Sequence, residues 1–127
     1  MDELKYNLEE SLAELDQLFY LSAKETDKTA YEDLVEKARI IYEQYPKSED
    51  IALRYARILF ILSTKQTGLK ELETTAKKLR VLQQQFQDSH DIALPYAMIL
   101  VNLSTKQIEL KEIEATAEKS EKLQQQF

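Results

Sequence analysis

The sequence predicts an all-α fold of helix–turn–helix pairs repeated three times, six helices in total. Three observations predict it. A repeat of period 41 runs along the chain, apolar residues recur three and four apart, and turn residues are scarce. One glycine and two prolines among 127 residues cannot supply the turns that an all-β chain needs at each hairpin. The length suits one domain, 1–127.

The repeat is the strongest signal, and it is sought first because missing it mis-assigns a fold. Residues 44–86 lie over residues 85–127 without a gap, and 27 of the 43 aligned positions are identical, too many for chance. Asp50-Ile51-Ala52-Leu53 returns as Asp91-Ile92-Ala93-Leu94, and Leu62-Ser63-Thr64-Lys65-Gln66 as Leu103-Ser104-Thr105-Lys106-Gln107. Leu82-Gln83-Gln84-Gln85-Phe86 returns as Leu123-Gln124-Gln125-Gln126-Phe127. The same shift reaches the start of the chain more weakly: Leu12 aligns with Leu53, Phe19 with Phe60, and Lys24 with Lys65.

Each copy reads as two helices, A and B. In copy two, the stretch from Asp50 to Gln66 is apolar on most sides, interrupted early by Arg54 and Arg57. A helix of that kind is sandwiched between neighbours. The stretch from Gly68 to Phe86 is amphipathic, with Leu69, Leu72, Ala76, Leu79 and Leu82 on one face. Ser48 and Ser89 stand where N-caps belong, and Thr29-Ala30-Tyr31-Glu32 has the spacing of a capping box. Pro46 falls between helices, where its missing N–H does no harm, whereas Pro95 replaces Arg54 near the start of a helix. The four helix breaks assigned from these signals lie near 24–29, 45–49, 65–69 and 86–90.

This pattern resembles the tetratricopeptide repeat. The family's small helix-A position is matched by Ala56 and Ala97, with Leu15 in copy one. Its large helix-A positions are matched by Tyr55, Leu59, Tyr96 and Leu100, its helix-B positions by Leu79 and Leu82, and its proline by Pro46. The unit here is seven residues longer than the family's 34, about two helical turns, so each helix gains roughly one turn without rotating its faces. The resemblance implies a right-handed superhelical stack of three units, 2–45, 46–86 and 87–127. A generic helical-hairpin solenoid is the alternative.

The ends of the array differ from its middle. Ile51, Tyr55 and Ile58 form a stripe on helix A of copy two, kept as Ile92, Tyr96 and Ile99 in copy three but replaced by Glu10, Glu14 and Gln17 in copy one. Such a stripe marks the face that meets the preceding unit. On helix B, Leu79 and Val81 become Ser120 and Lys122, as expected where no helix follows. Repeat arrays need polar outer faces on their terminal units.

Catalytic and metal chemistry find little support, and the chain is read as non-enzymatic, with no cofactor. No cysteine is present, which removes disulfides and thiolate sites. His90 is the only histidine, and Ser89-His90-Asp91 reads as a cap and first turn, since neighbours on a helix do not face one another. No zinc, calcium or phosphate-loop spacing occurs. The net charge of −6 argues against nucleic acid, which needs clustered Lys and Arg. The opening Met1-Asp2-Glu3-Leu4-Lys5 lacks a signal-peptide core, and the run from Ile58 to Leu62 is too short to cross a membrane. These features suit a cytoplasmic protein without a membrane partner.

The resemblance assigns a function to the helix-A faces, which in that family line a concave groove for a peptide or helix. Carried over by position, the groove takes Leu12, Asp16 and Phe19 from copy one, beside Tyr20. Copy two supplies Leu53, Arg57 and Phe60 with Ile61, and copy three supplies Leu94, Met98, Val101 and Asn102. The clamp with which one subfamily reads acidic tails is absent, because Leu12, Asp16, Arg54, Asp91 and Pro95 occupy its positions. Two readings remain open. One is a recognition groove for a protein or peptide. The other is a structural or self-assembling scaffold, natural or engineered, that buries this ladder as core or in a homo-oligomer.

Overall fold

The computed structural model describes residues 7–126; residues 1–6, with the opening Met1-Asp2-Glu3-Leu4-Lys5, and Phe127 lie outside them. The described residues form five α-helices and no strand: α1 (Leu8–Lys24), α2 (Lys28–Gln44), α3 (Glu49–Lys65), α4 (Leu69–Gln85) and α5 (His90–Gln126). All four assigned breaks fall where the helices end.

Each break has a local cause. Asn7 caps α1 by accepting from the Glu10 N–H at 2.8 Å. Ser48 and Ser89 cap α3 and α5, each accepting from the amide three residues on at 3.2 Å. These bonds satisfy donors that the first helical turn leaves unpaired. The expected capping box at Thr29 is not formed. Asp27 is the cap of α2, accepting from the Ala30 N–H at 3.0 Å, and Thr29 lies inside the helix. An aspartate two residues earlier captures the Ala30 amide, so the helix begins ahead of Thr29. Gly68 precedes α4 at φ −81°, a backbone open to any residue, and provides no side-chain cap bond. Its contribution is a stop in helix propensity rather than an unusual conformation.

The six-helix expectation fails in copy three. Helix α5 runs unbroken for 37 residues through the region where the third hairpin should turn. The reason is visible at two positions. Copies one and two turn at Thr26-Asp27 and Thr67-Gly68, and copy three has Ile108-Glu109 there. Aspartate and glycine favour an N-cap, whereas isoleucine and glutamate continue a helix. Pro95 does not break α5 either; it lies in the second turn, and the helix passes through it.

The helices pack in two layers. In one, α1 lies against α3 and α3 against α5; in the other, α2 covers α1 and α3, and α4 covers α3 and α5. The core follows the helix-A stripe. Ile51, Tyr55 and Ile58 are buried, as are Ile92 and Ile99, while Glu10 and Gln17 are exposed. Leu79 of α4 is fully buried, but Val81 is 56% exposed, so only one of the two helix-B positions expected to meet the next helix does so. Two residues apart on a helix means about 200° of rotation, which carries Val81 away from the side Leu79 buries.

Two stability predictions follow from this packing. Ile58→Ala should cost about 2–4 kcal/mol, because it removes a fully buried branched side chain from the centre of the core. A loss under about half a kcal/mol in urea titration would contradict the packing of this face. Ser11 is also fully buried, and its hydroxyl has no hydrogen-bond partner among the described residues. Alanine already occupies the aligned positions 52 and 93. Ser11→Ala should therefore raise stability by about 1 kcal/mol, read as a higher urea midpoint at unchanged slope.

Candidate functional site

The candidate surface is the side of the α1/α3/α5 layer that α2 and α4 do not cover. Helical spacing sets it: Leu12, Asp16 and Phe19 are three and four apart, as are Leu53, Arg57 and Phe60, and Leu94, Met98 and Val101. The structure leaves this surface accessible to a graded extent. Leu12 and Leu53 are half-buried and rest on the edge of the core. Phe60 is half-buried, and Phe19 is exposed at 36%. Towards α5 the face opens further, with Leu94 and Met98 exposed and Val101 at 65%. Asp16, Arg57 and Asn102 are exposed polar positions among them.

Between α1 and α3 this face is hollowed. Asp16, Phe19, Arg54 and Arg57 line a depression of about 390 Å³. Arg54 Nε donates to Asp16 Oδ1 at 3.0 Å and Arg54 Nη1 to the Asp50 carbonyl at 3.2 Å. The ion pair fixes the guanidinium across the seam between the helices, leaving Arg57 as the exposed cation of the hollow. The hollow thus combines one aromatic face, one paired carboxylate and one exposed guanidinium. That set offers apolar and hydrogen-bonded contact in one place. The ends of the sequence-assigned groove, at Asp16 and Asn102, belong to different helices, α1 and α5, with α3 between them.

Sequence reasoning missed a second concave region, on the helix-B layer. Tyr42 of α2 and Tyr55 of α3 stack with ring centroids 5.0 Å apart. The Tyr42 hydroxyl donates to Gln85 Oε1 at 2.8 Å, and Gln85 Nε2 in turn donates to the Pro46 carbonyl. Arg39, Tyr42, Lys78 and Val81 border a hollow of about 230 Å³ there. The signal in the sequence was the glutamine run ending at Gln85, which ties the end of α4 to the α2–α3 connection. Arg39 bridges Glu36 and Glu43 one turn either side of it. The hydrogen bonds from Arg39 hold the Glu36 carboxyl below its ordinary range, and the same bonds raise the Arg39 pKa.

His90 opens α5 as an exposed residue, and the Ser89 hydroxyl is engaged in capping. Among the described residues, no group of three or more His, Asp or Glu side chains is placed to hold a metal ion, and no helix is long and apolar enough to cross a membrane. No family model, curated protein or solved structure matches the chain.

The tyrosine stack generates a pH prediction. Burial pushes the Tyr55 hydroxyl from its ordinary 10.0 up to about 12, and burial also raises Tyr42. Between these values the unfolded chain has released the Tyr55 proton while the folded chain keeps it. The unfolded state then binds fewer protons, so stability falls as pH rises through about 10 to about 12 and levels off above. The loss attributable to Tyr55 should be on the order of 2–3 kcal/mol. Urea titrations at about pH 9 and about pH 11.5 should show the fall in the parent, and a shallower one in Tyr55→Phe.

Proposed function

We propose that this chain is a non-catalytic interaction module of the tetratricopeptide-like kind, using the α1/α3/α5 face to hold a peptide or helix of a partner protein. In this reading the first two repeats, 2–45 and 46–86, form the right-handed superhelical part of the stack, and α5 supplies the third helix-A position. A reducing, cytoplasmic setting accords with the absence of cysteine.

The observation that carries the proposal is the accessibility of the aligned apolar ladder. Phe19, Phe60 and Val101 occupy equivalent positions on adjacent helices, and none is fully buried. By contrast, Leu18 and Leu59, one residue earlier in the first two copies, are buried. Apolar groups kept in register yet outside the core suit recognition of an apolar segment. The Arg57 guanidinium beside them adds a donor for the carbonyl groups of that segment.

Phe60→Ala is the test, because Phe60 lies at the centre of the ladder, where contacts on both sides exclude water. Peptides selected on the parent protein from a random library should bind Phe60→Ala about thirtyfold more weakly by fluorescence anisotropy, a loss of about 2 kcal/mol. The melting temperature should fall by only a few degrees. A fall of more than roughly 10 °C would assign Phe60 to the core and overturn its role in recognition.

A further inference from the structure

The hollow on the helix-B layer lies away from the proposed groove, because Tyr55 stands about 200° around α3 from Arg57. Tyr55 and Leu82 are its deepest residues, and the Tyr42 ring and Val81 rise beside them. Tyr55 is only 4% exposed, yet its hydroxyl makes no hydrogen bond among the described residues. The hydroxyl is not sealed into the core, and Tyr55 lines the hollow. A buried tyrosine hydroxyl ordinarily finds a partner. Phenylalanine would stack on Tyr42 equally well and leave no donor unmet. The partner of the Tyr55 hydroxyl is therefore whatever occupies the hollow.

Arg39, Glu43 and Lys78 are the charged side chains along the border. Arg39 donates to both Glu36 and Glu43, so these carboxylates are already engaged. Lys78 is exposed and has no ion pair among the described residues. It stands near enough to Glu36 to favour that carboxylate's charged form, without bonding to it. Two donors are thus left for an incoming group, the Lys78 ammonium and the Tyr55 hydroxyl, and both open on one apolar bed. The Tyr42 wall is fixed in advance, since its hydroxyl donates to Gln85, which donates to the Pro46 carbonyl. A wall already ordered costs little to bind against. The combination is particular to this seam: at the aligned positions of copy three, Tyr42, Glu43 and Val81 become Gln83, Gln84 and Lys122.

We infer that this hollow binds a small organic carboxylate carrying one apolar ring or branched chain, its oxygens accepting from Lys78 Nζ and the Tyr55 hydroxyl and its body lying against Tyr42, Val81 and Leu82. Size sets the body. A hollow of about 230 Å³ lies below the roughly 300–1,000 Å³ of pockets for drug-sized ligands, so it holds a single ring and not an extended chain. The head follows from the donors. A neutral acceptor satisfies their hydrogen bonds but leaves the ammonium charge unmatched, whereas a carboxylate does both, and charge-assisted bonds are the stronger kind. Lys78 repels an organic cation. Binding makes and breaks no covalent bond, and it is independent of the groove on the opposite layer.

The test is a titration of the full chain with phenylacetate, followed by nuclear magnetic resonance on ring-labelled tyrosine. The chain has seven tyrosines and no tryptophan, and Tyr42→Phe and Tyr55→Phe assign the two resonances of the stack. Phenylacetate should shift both saturably. Phenylacetamide, which keeps the ring but not the charge, should bind about fivefold more weakly or worse. Lys78→Gln should weaken phenylacetate by about fivefold or more, and so should Tyr55→Phe, which keeps the ring stack and removes only the hydroxyl. Lys119→Gln, at the aligned lysine of copy three, should leave binding unchanged and so exclude a general effect of charge. The absence of a saturable shift at Tyr42 and Tyr55 overturns the inference. So does an amide that binds as tightly as the acid, or a Lys78→Gln or Tyr55→Phe variant that binds like the parent. Lys78 is exposed, so its variant decides the matter even if Tyr55→Phe disturbs the fold.

Discussion

The structure depends on burying α3. Every other helix packs against it, and its Ile51, Ala52, Ala56, Ile58 and Leu59 are completely removed from water. A 17-residue helix with so little polar surface is stable only with neighbours on most sides. That requirement arranges the rest. Helices α1 and α5 flank α3 in its own layer, α2 and α4 close over it, and the one side left over becomes the candidate binding face. The alanines at 52 and 56 have the same origin, since small side chains let neighbouring helices approach closely.

The interior of the fold was legible in the sequence because burial leaves a periodic trace. The Ile51, Tyr55, Ile58 stripe and its polar replacement by Glu10, Glu14 and Gln17 mark which faces meet a neighbour, and the described packing follows them. Helix ends were legible where a side chain terminates the helix directly, as Ser48 and Ser89 do. They were less so where two candidates compete: Asp27 displaces Thr29 because its carboxylate, two residues earlier, caps the Ala30 amide and starts the helix ahead of Thr29. The missing sixth helix has the same lesson in stronger form. High identity between copies two and three suggested equal structures, yet a turn depends on only two or three residues. Those residues, Ile108 and Glu109, are among the 16 of 43 that differ.

The candidate site was legible as a set of positions but not as a surface. Period alone places Leu12, Leu53 and Leu94 at one register and Phe19, Phe60 and Val101 at another, without saying how deeply each lies. Depth depends on what stands beside each helix. Helix α3 has neighbours on both flanks and half-buries Leu53 and Phe60; α5 has one flank open, so Leu94 and Val101 are exposed. The Arg54–Asp16 bond was out of reach for the same reason, since it joins residues 38 apart across a helix seam.

The helix-A face and the two halves of α5 leave apolar surface uncovered for different physical reasons. On the helix-A face, side chains point away from the only layer that could cover them, and no change of turn would bury them. On α5, the covering element is present in the chain but is carried away by helix continuity. Ile108-Glu109 lets the helix continue, whereas Thr67-Gly68 separates α3 from α4. The two surfaces are separate on α5 itself: Leu94, Met98 and Val101 lie on a different side of the helix from Ala93, Ala97 and Leu100.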